Sequence, residues 1–392
     1  MTSSWLDTPV GAVWPDDDDP RSFVRYRRLL HSYHRALAAG WNDADFVDTI
    51  VAIDDAIAGV DGSGFRVTPA AWSEDLAGVG APERVFAKDE TGNVGGSHKA
   101  RHLMGLLLHL AVDAVATDAR LAISSCGNAA LGAATVARAA SRPIDVFIPT
   151  WADPAVVAVL SRLDATIHVC ERRDGEAGDP CMLRFQEAVG EGALPFGVQA
   201  TENVLTLDGG RTIGWELADQ IAPDGVDDVV VQVGGGALLT SCAIGLLEAA
   251  ALGVLDTAPR VWATQAEGCA PFDRAWRGLR SDLEPEQRLA DAAARADELM
   301  TPWIDPASAA TGILDDITYD WLGISRALTE TGGGSIVSTE AEIVEANRRV
   351  VTAGYDADPT GTAGYAGVLA GVRQGLLAAD TAVATLVTGV RR

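Results

Sequence analysis

The chain has 392 residues, 48% hydrophobic and 22% charged, enough to bury the core of two α/β lobes or of one large unit. Its formal net charge of −25 argues against nucleic acid, which needs clustered Lys and Arg, and no apolar run approaches the ~20 residues of a membrane span. Cys126, Cys170, Cys181, Cys242 and Cys269 include no CxxC and no metal-ligand spacing, so reduced thiols in a cytoplasmic protein without a metal are expected.

Residues 1–64 are polar and aromatic, with an acidic run at Asp16–Asp19 that reads as a solvated loop and a helix predicted over 22–39. No basic start precedes an apolar run, so no secretory signal is expected. From residue 120 onward apolar runs at 121–124, 145–148 and 166–169 predict buried strands. Helical stretches at 129–140, 154–163 and 182–189 lie between them. The alternation resumes with strands at 228–233, 261–265, 335–338 and 382–387 and helices at 237–252, 340–352 and 361–376. Strand–helix repeats of this length predict parallel sheets covered by helices, with sites at the carboxyl ends of the strands.

Four motifs fall where such sites form. In the first, a glycine-rich turn ending in Ser97, His98 and Lys99 opens an apolar helix over 103–111. A lysine at a helix N-terminus sits in a positive field that favours its neutral form, and a neutral amine is what a Schiff base requires. By itself such a lysine is more often a surface or phosphate-binding residue. The second motif, Ser124-Ser125-Cys126-Gly127-Asn128, ends a strand before an Ala-rich helix and offers backbone N–H groups to a carboxylate or phosphate, or is simply a helix cap. The third is Val231-Gln-Val-Gly-Gly-Gly-Ala-Leu-Leu239, in which Gly234, Gly235, Gly236, Ala237 and Leu238 follow a very apolar strand. Three glycines let the backbone wrap an anion closely, yet neither a Walker A loop nor a dinucleotide fingerprint is present, so a small phosphate-bearing ligand fits better than ATP or NAD. The fourth is Thr388-Gly389 after the last strand.

In this order the four motifs resemble the fold-type II pyridoxal-5′-phosphate (PLP) enzymes, which include threonine synthase, serine/threonine dehydratases, O-acetylserine sulfhydrylase and the tryptophan synthase β-subunit. The resemblance runs from about Phe65 to the end. It implies an α/β protein of two lobes, mostly parallel sheets flanked by helices, with PLP between them. The implied large lobe is 65–104 with 202–392, the small inserted lobe is 105–201, and residues 1–64 form a helical extension packed on the large lobe. A homodimer is the family expectation.

By the same resemblance Lys99 is the Schiff-base lysine and Asn128 bonds the cofactor's ring oxygen. Ser125, Cys126, Gly127 and Asn128 hold the substrate carboxylate, and Gly234 through Leu238 cradle the cofactor phosphate. Thr388 faces the pyridine nitrogen; a hydroxyl there leaves that nitrogen unprotonated, which suits β-elimination and β-replacement better than transamination. The implied activity is a lyase acting on a small amino acid through an aminoacrylate-type intermediate. Threonine synthase acting on phosphohomoserine and a non-catalytic PLP-binding protein are the alternatives.

Gln265-Ala-Glu-Gly-Cys-Ala-Pro271 and Asp358-Pro-Thr-Gly-Thr-Ala363 are similar to threonine synthase segments, whereas Gly234–Gly236 and Lys99-Ala-Arg101 are closer to the dehydratases. Arg101, His102 and Arg211 are the candidates for a substrate-phosphate pocket. His98 is a phosphate neighbour, a catalytic base or structural, with the phosphate neighbour preferred to the base. Glu267 is either a buried carboxylate or a surface ion-pair member. Cys126 is read as a small residue filling a tight turn.

Overall fold

The protein is described by a computed structural model covering residues 5–176 and 178–392. Among these residues the strands are β1 (Ala70–Trp72), β2 (Arg84–Asp89), β3 (Leu121–Ser124), β4 (Ile144–Pro149), β5 (Thr166–Cys170), β6 (Leu194–Pro195), β7 (Asp228–Gln232), β8 (Arg260–Ala266), β9 (Gly334–Ser338) and β10 (Ala382–Val387). They form two sheets. The larger runs β1-β2-β10-β7-β8-β9, and the smaller β5-β4-β3-β6. Every pairing is parallel except β1 with β2, where a short edge strand runs back along its neighbour. Every residue of β7 and β10 is buried, the pattern of central parallel strands with both faces covered.

The 22–39 segment is not one helix. It breaks into Ser22–Arg25, a 3-10 turn at Arg27–Leu29, and His31–Ala38. The break is imposed from a distance. Asp208 accepts the backbone N–H groups of His31 and Ser32 at 2.9 and 3.1 Å, so a residue far along the chain caps the second helix. The next helix, Asp43–Asp61, carries its own capping box, with Asn42 and Asp45 each accepting the other's backbone N–H. These N-terminal helices share one apolar core with the Lys99–Val112 and Asn128–Ala139 helices, through Phe23, Leu29, Phe46, Leu103 and Leu131.

Three helices carry most of what holds the site: Lys99–Val112, Thr206–Ile221 and Ala237–Ala251. The first two cross backbone to backbone. A Cβ on Gly209 would lie 2.0 Å from the Arg101 carbonyl oxygen, so only glycine permits this approach. The crossing fixes the helix that begins with Lys99. Among the described residues no helix is long and apolar enough to cross a membrane.

Candidate active site

Lys99 is the first residue of its helix, and two backbone features bring it to the carboxyl ends of both sheets. The glycine turn before it reverses the chain after β2. An isolated bridge then pairs Ser97 with Gly389, joining the turn to the segment that follows β10. The result is a cavity of about 1800 Å³. Lys99 lines it, as do the Ser125–Asn128 turn after β3, the Gly234–Leu238 loop after β7, and Thr388 after β10. All the residues that the motifs singled out for cofactor and substrate therefore meet in one place.

The donor set suits an anionic ligand with a carbonyl. The helices Asn128–Ala139 and Ala237–Ala251 both start at this cavity, with Gly127 and Gly236 as their N-caps, and neither has a side-chain cap. Their first N–H groups are thus left for a ligand, in the field of two helix N-termini. Gly236 has φ +108, a conformation that side chains rarely adopt, and a Cβ there would meet Ile324 Cδ1 at 2.7 Å. The glycine loop already holds an anion of the chain's own. The Asp315 carboxylate packs against it, with Oδ2 in the volume that a Cβ on Gly234 would take. These observations fit the phosphate of PLP in the loop and its aldehyde at Lys99.

The lysine count sharpens the assignment: the chain contains two lysines, Lys88 and Lys99. Lys88 is fully buried and donates to Glu216 Oε2 at 2.6 Å, Thr68 O at 2.9 Å and Gln220 Oε1 at 3.0 Å. All three of its protons are committed. Lys99 alone has its amine on the cavity. Burial pulls the Lys99 pKa down, opposed by the Asp315 and Asp320 carboxylates. Burial likewise drives His98 well below the usual histidine range, helped by Lys99, and both of its ring nitrogens lack a hydrogen-bond partner among the described residues. His98 is therefore a neutral imidazole at the cavity wall. Burial lifts the Cys126 thiol, which keeps it protonated and a poor nucleophile.

Arg101, His102 and Arg211 do not form a substrate-phosphate pocket. The Arg101 guanidinium binds Glu90 at 2.7 and 2.9 Å and Glu216 at 2.6 and 3.0 Å, all of them buried. Arg211 donates to Glu248 at 2.6 Å and Asp208 at 2.5 Å. His102 Nδ1 donates to the Thr206 carbonyl at 2.9 Å. The physical reason is charge neutrality: an unpaired buried carboxylate is far costlier than an arginine spent on it. Glu267 is neither a buried carboxylate nor, among the described residues, an ion-pair member; it is exposed and accepts the Glu340 N–H at 2.8 Å. Gln265 is structural, its Oε1 accepting the N–H groups of Phe272 and Asp273 at the start of the next helix.

Three further residues also line the cavity: Gln232, which lies in the third motif without a role assigned to it, Asp315 and Arg392. Gln232 had a signal, a lone amide closing a run of valines. Asp315 comes from an irregular loop with no pattern to mark it. Arg392 donates to the Asn128 side-chain oxygen, and to the Gly95 carbonyl at 2.5 Å.

The family model described as pyridoxal-phosphate dependent enzyme matches residues 63–389. The threonine synthase of Methanosarcina acetivorans is 28% identical over 188 residues, 48% of this chain and 42% of that protein. A serine dehydratase-like protein of Rattus norvegicus is 32% identical over 186 residues, 47% of this chain and 53% of that protein. These matches span about half the length of each relative or less. The structure of maize serine racemase superposes with a TM-score of 0.64 at 20% identity, covering 88% of this chain and 93% of that one, a likeness of fold.

Proposed function

The chain belongs to the pyridoxal-phosphate dependent enzymes, with PLP as cofactor, and on that premise we propose that it is a lyase, removing a β-substituent from a small amino acid by elimination or replacing it. The observation that carries this reading is the meeting of Lys99, the only lysine with a free amine, with an uncapped glycine loop and a hydroxyl at Thr388 in one cavity.

PLP held there supplies an electron sink for the carbanion that forms at the substrate's α-carbon. The chain supplies the rest. The Gly234–Leu238 backbone N–H groups bind the phosphate. The uncapped start of the Asn128–Ala139 helix, with Ser125 and Gly127, binds the substrate carboxylate. Lys99 Nζ, whose pKa burial lowers, would take the α-proton and is the group placed to return a proton to the leaving group. Thr388 would donate to the ring nitrogen, and the apolar walls around Phe147 and Leu238 would keep water off the α-carbon.

The match to archaeal threonine synthase favours a second reading, phosphate elimination from phosphohomoserine. Against it, Arg101 and Arg211 are consumed in buried ion pairs, leaving Arg172, Arg391 and Arg392 as the guanidinium groups at the cavity. Purified protein with PLP should be screened against serine, threonine, O-acetylserine, diaminopropionate and phosphohomoserine. Release of ammonia or acetate supports the lyase reading, and release of phosphate supports the synthase. Bound PLP with no spectral response to any amino acid would instead mark a binding protein without catalysis.

A further inference from the structure

Gln232 ends β7, and Thr388 follows β10, its parallel neighbour in the sheet. Gln232 Nε2 lies 2.7 Å from Thr388 Oγ1. The same nitrogen faces three backbone carbonyl oxygens, of Gly361 at 3.4 Å and of Thr360 and Leu386 at 3.5 Å. Carbonyl oxygens only accept, so this end of the amide has to be the NH2 group, and Thr388 Oγ1 has to be its acceptor. The other end, Gln232 Oε1, faces Gly364 and is buried with no donor among the described residues. An orphaned buried acceptor lowers stability. A hydrocarbon side chain would avoid that penalty, so what the glutamine contributes is the NH2 it gives to Thr388. With its lone pair engaged from behind, the Thr388 hydroxyl keeps its own proton for the cavity, which both residues line.

We infer that Gln232 is a positioning residue: it turns the Thr388 hydroxyl into a donor toward the cavity, and so holds the cofactor's ring nitrogen in its unprotonated, accepting form. The inference rests on the placement of PLP proposed above. Without Gln232 nothing engages the Thr388 lone pair from behind, and the hydroxyl no longer favours one direction. The hydroxyl alone therefore does not set the ring's protonation state; the Gln232–Thr388 pair does.

The test uses holoenzyme carrying PLP labelled with ¹⁵N in the ring, read by NMR in wild type, Gln232→Met, Thr388→Val and the double variant. Wild type should show an unprotonated nitrogen that accepts a hydrogen bond. Gln232→Met should move the resonance toward that of a free unprotonated pyridine, Thr388→Val should move it equally, and the double variant should move it no further. Thr388→Ser should restore the wild-type position. If Gln232→Met does not take up cofactor, Gln232→Asn withdraws the NH2 by one methylene and should move the resonance in the same direction. A protonated nitrogen in wild type overturns the inference, as does a Gln232 variant that keeps the wild-type resonance while Thr388→Val shifts it. In both cases the reading of the protein as a PLP enzyme survives. A wild-type protein that binds no PLP at Lys99 removes both.

Discussion

Asp315 and Gly234 compete for one volume: a Cβ on Gly234 would lie 2.4 Å from Asp315 Oδ2. The carboxylate packs on the glycine loop, beside the backbone N–H groups that would cradle a phosphate. A phosphate bound at this loop would therefore lie close to an acid belonging to the chain.

Burial pushes the Asp315 pKa up from 3.8 to about 6, with Lys99 opposing. Above that pH the group is charged and repels an incoming phosphate. Asp315→Asn should therefore tighten PLP binding about tenfold at pH 8, roughly 1.4 kcal/mol. The advantage should shrink as pH falls through 6 and Asp315 takes up its proton. Fluorescence titration with PLP at pH 5.5 and pH 8 checks this. Equal affinities for variant and wild type at pH 8 would show that the loop accommodates both anions.

The same shift has a consequence for folding. The native state binds the proton more tightly than the unfolded chain, so stability falls as pH rises from about 4 to about 6. The cost is absent below the unfolded pKa and complete above the folded one. Relative to wild type, Asp315→Asn should gain up to about 3 kcal/mol between pH 4 and pH 7. Urea unfolding of the two proteins at both pH values gives the difference directly. A gap independent of pH would mean that Asp315 is solvated.

Gly234→Ala places a methyl group against Asp315 and against Ile313 Cα, which would be 3.0 Å away. The loop has to open to admit it. PLP affinity should drop by at least about tenfold, while the melting temperature of the cofactor-free protein changes by only a few degrees. Equilibrium dialysis and thermal unfolding separate the two effects. Unchanged affinity would remove the loop from the phosphate site.

Arg101→Met strands Glu90 and half of Glu216 in a buried site whose remaining cation is Lys88, 2.6 Å from Glu216. Breaking such a network from one side should cost about 3–5 kcal/mol. Adding Glu90→Gln should recover part of it. Denaturant midpoints of the three proteins decide; a loss below about 1 kcal/mol for Arg101→Met would show that the network is hydrated.

The parts of this fold legible in the sequence are those where one residue pattern serves one purpose. β10 and the Glu340–Thr352 helix fall on the predicted boundaries, because a run apolar but for Thr385 and an amphipathic run with Thr339 as N-cap each have one reading. The Thr206–Ile221 helix went unread. Residues 206–218 are all buried, and its charges at Asp208, Arg211 and Glu216 find partners on other elements, so no polar face marks it. The break at Leu30 was likewise invisible, since the cap is Asp208, 178 positions further on.

In the site, the glycine loops and Lys99 stand out through the order of the four motifs, which carries the family resemblance. The partners of Arg101 and the Glu248 partner of Arg211 do not, because pairing across the fold leaves no local trace. The two-lysine composition was available in the sequence, and only the burial of Lys88 shows that it leaves one candidate.

The measurement that tests the central claim most directly is borohydride reduction of the PLP-loaded protein followed by peptide mapping. With two lysines in the chain the result is a choice between them. The account predicts a single pyridoxyl adduct, on the peptide containing Lys99, and none after Lys99→Ala. An adduct on Lys88, or an undiminished adduct yield in Lys99→Ala, would contradict it.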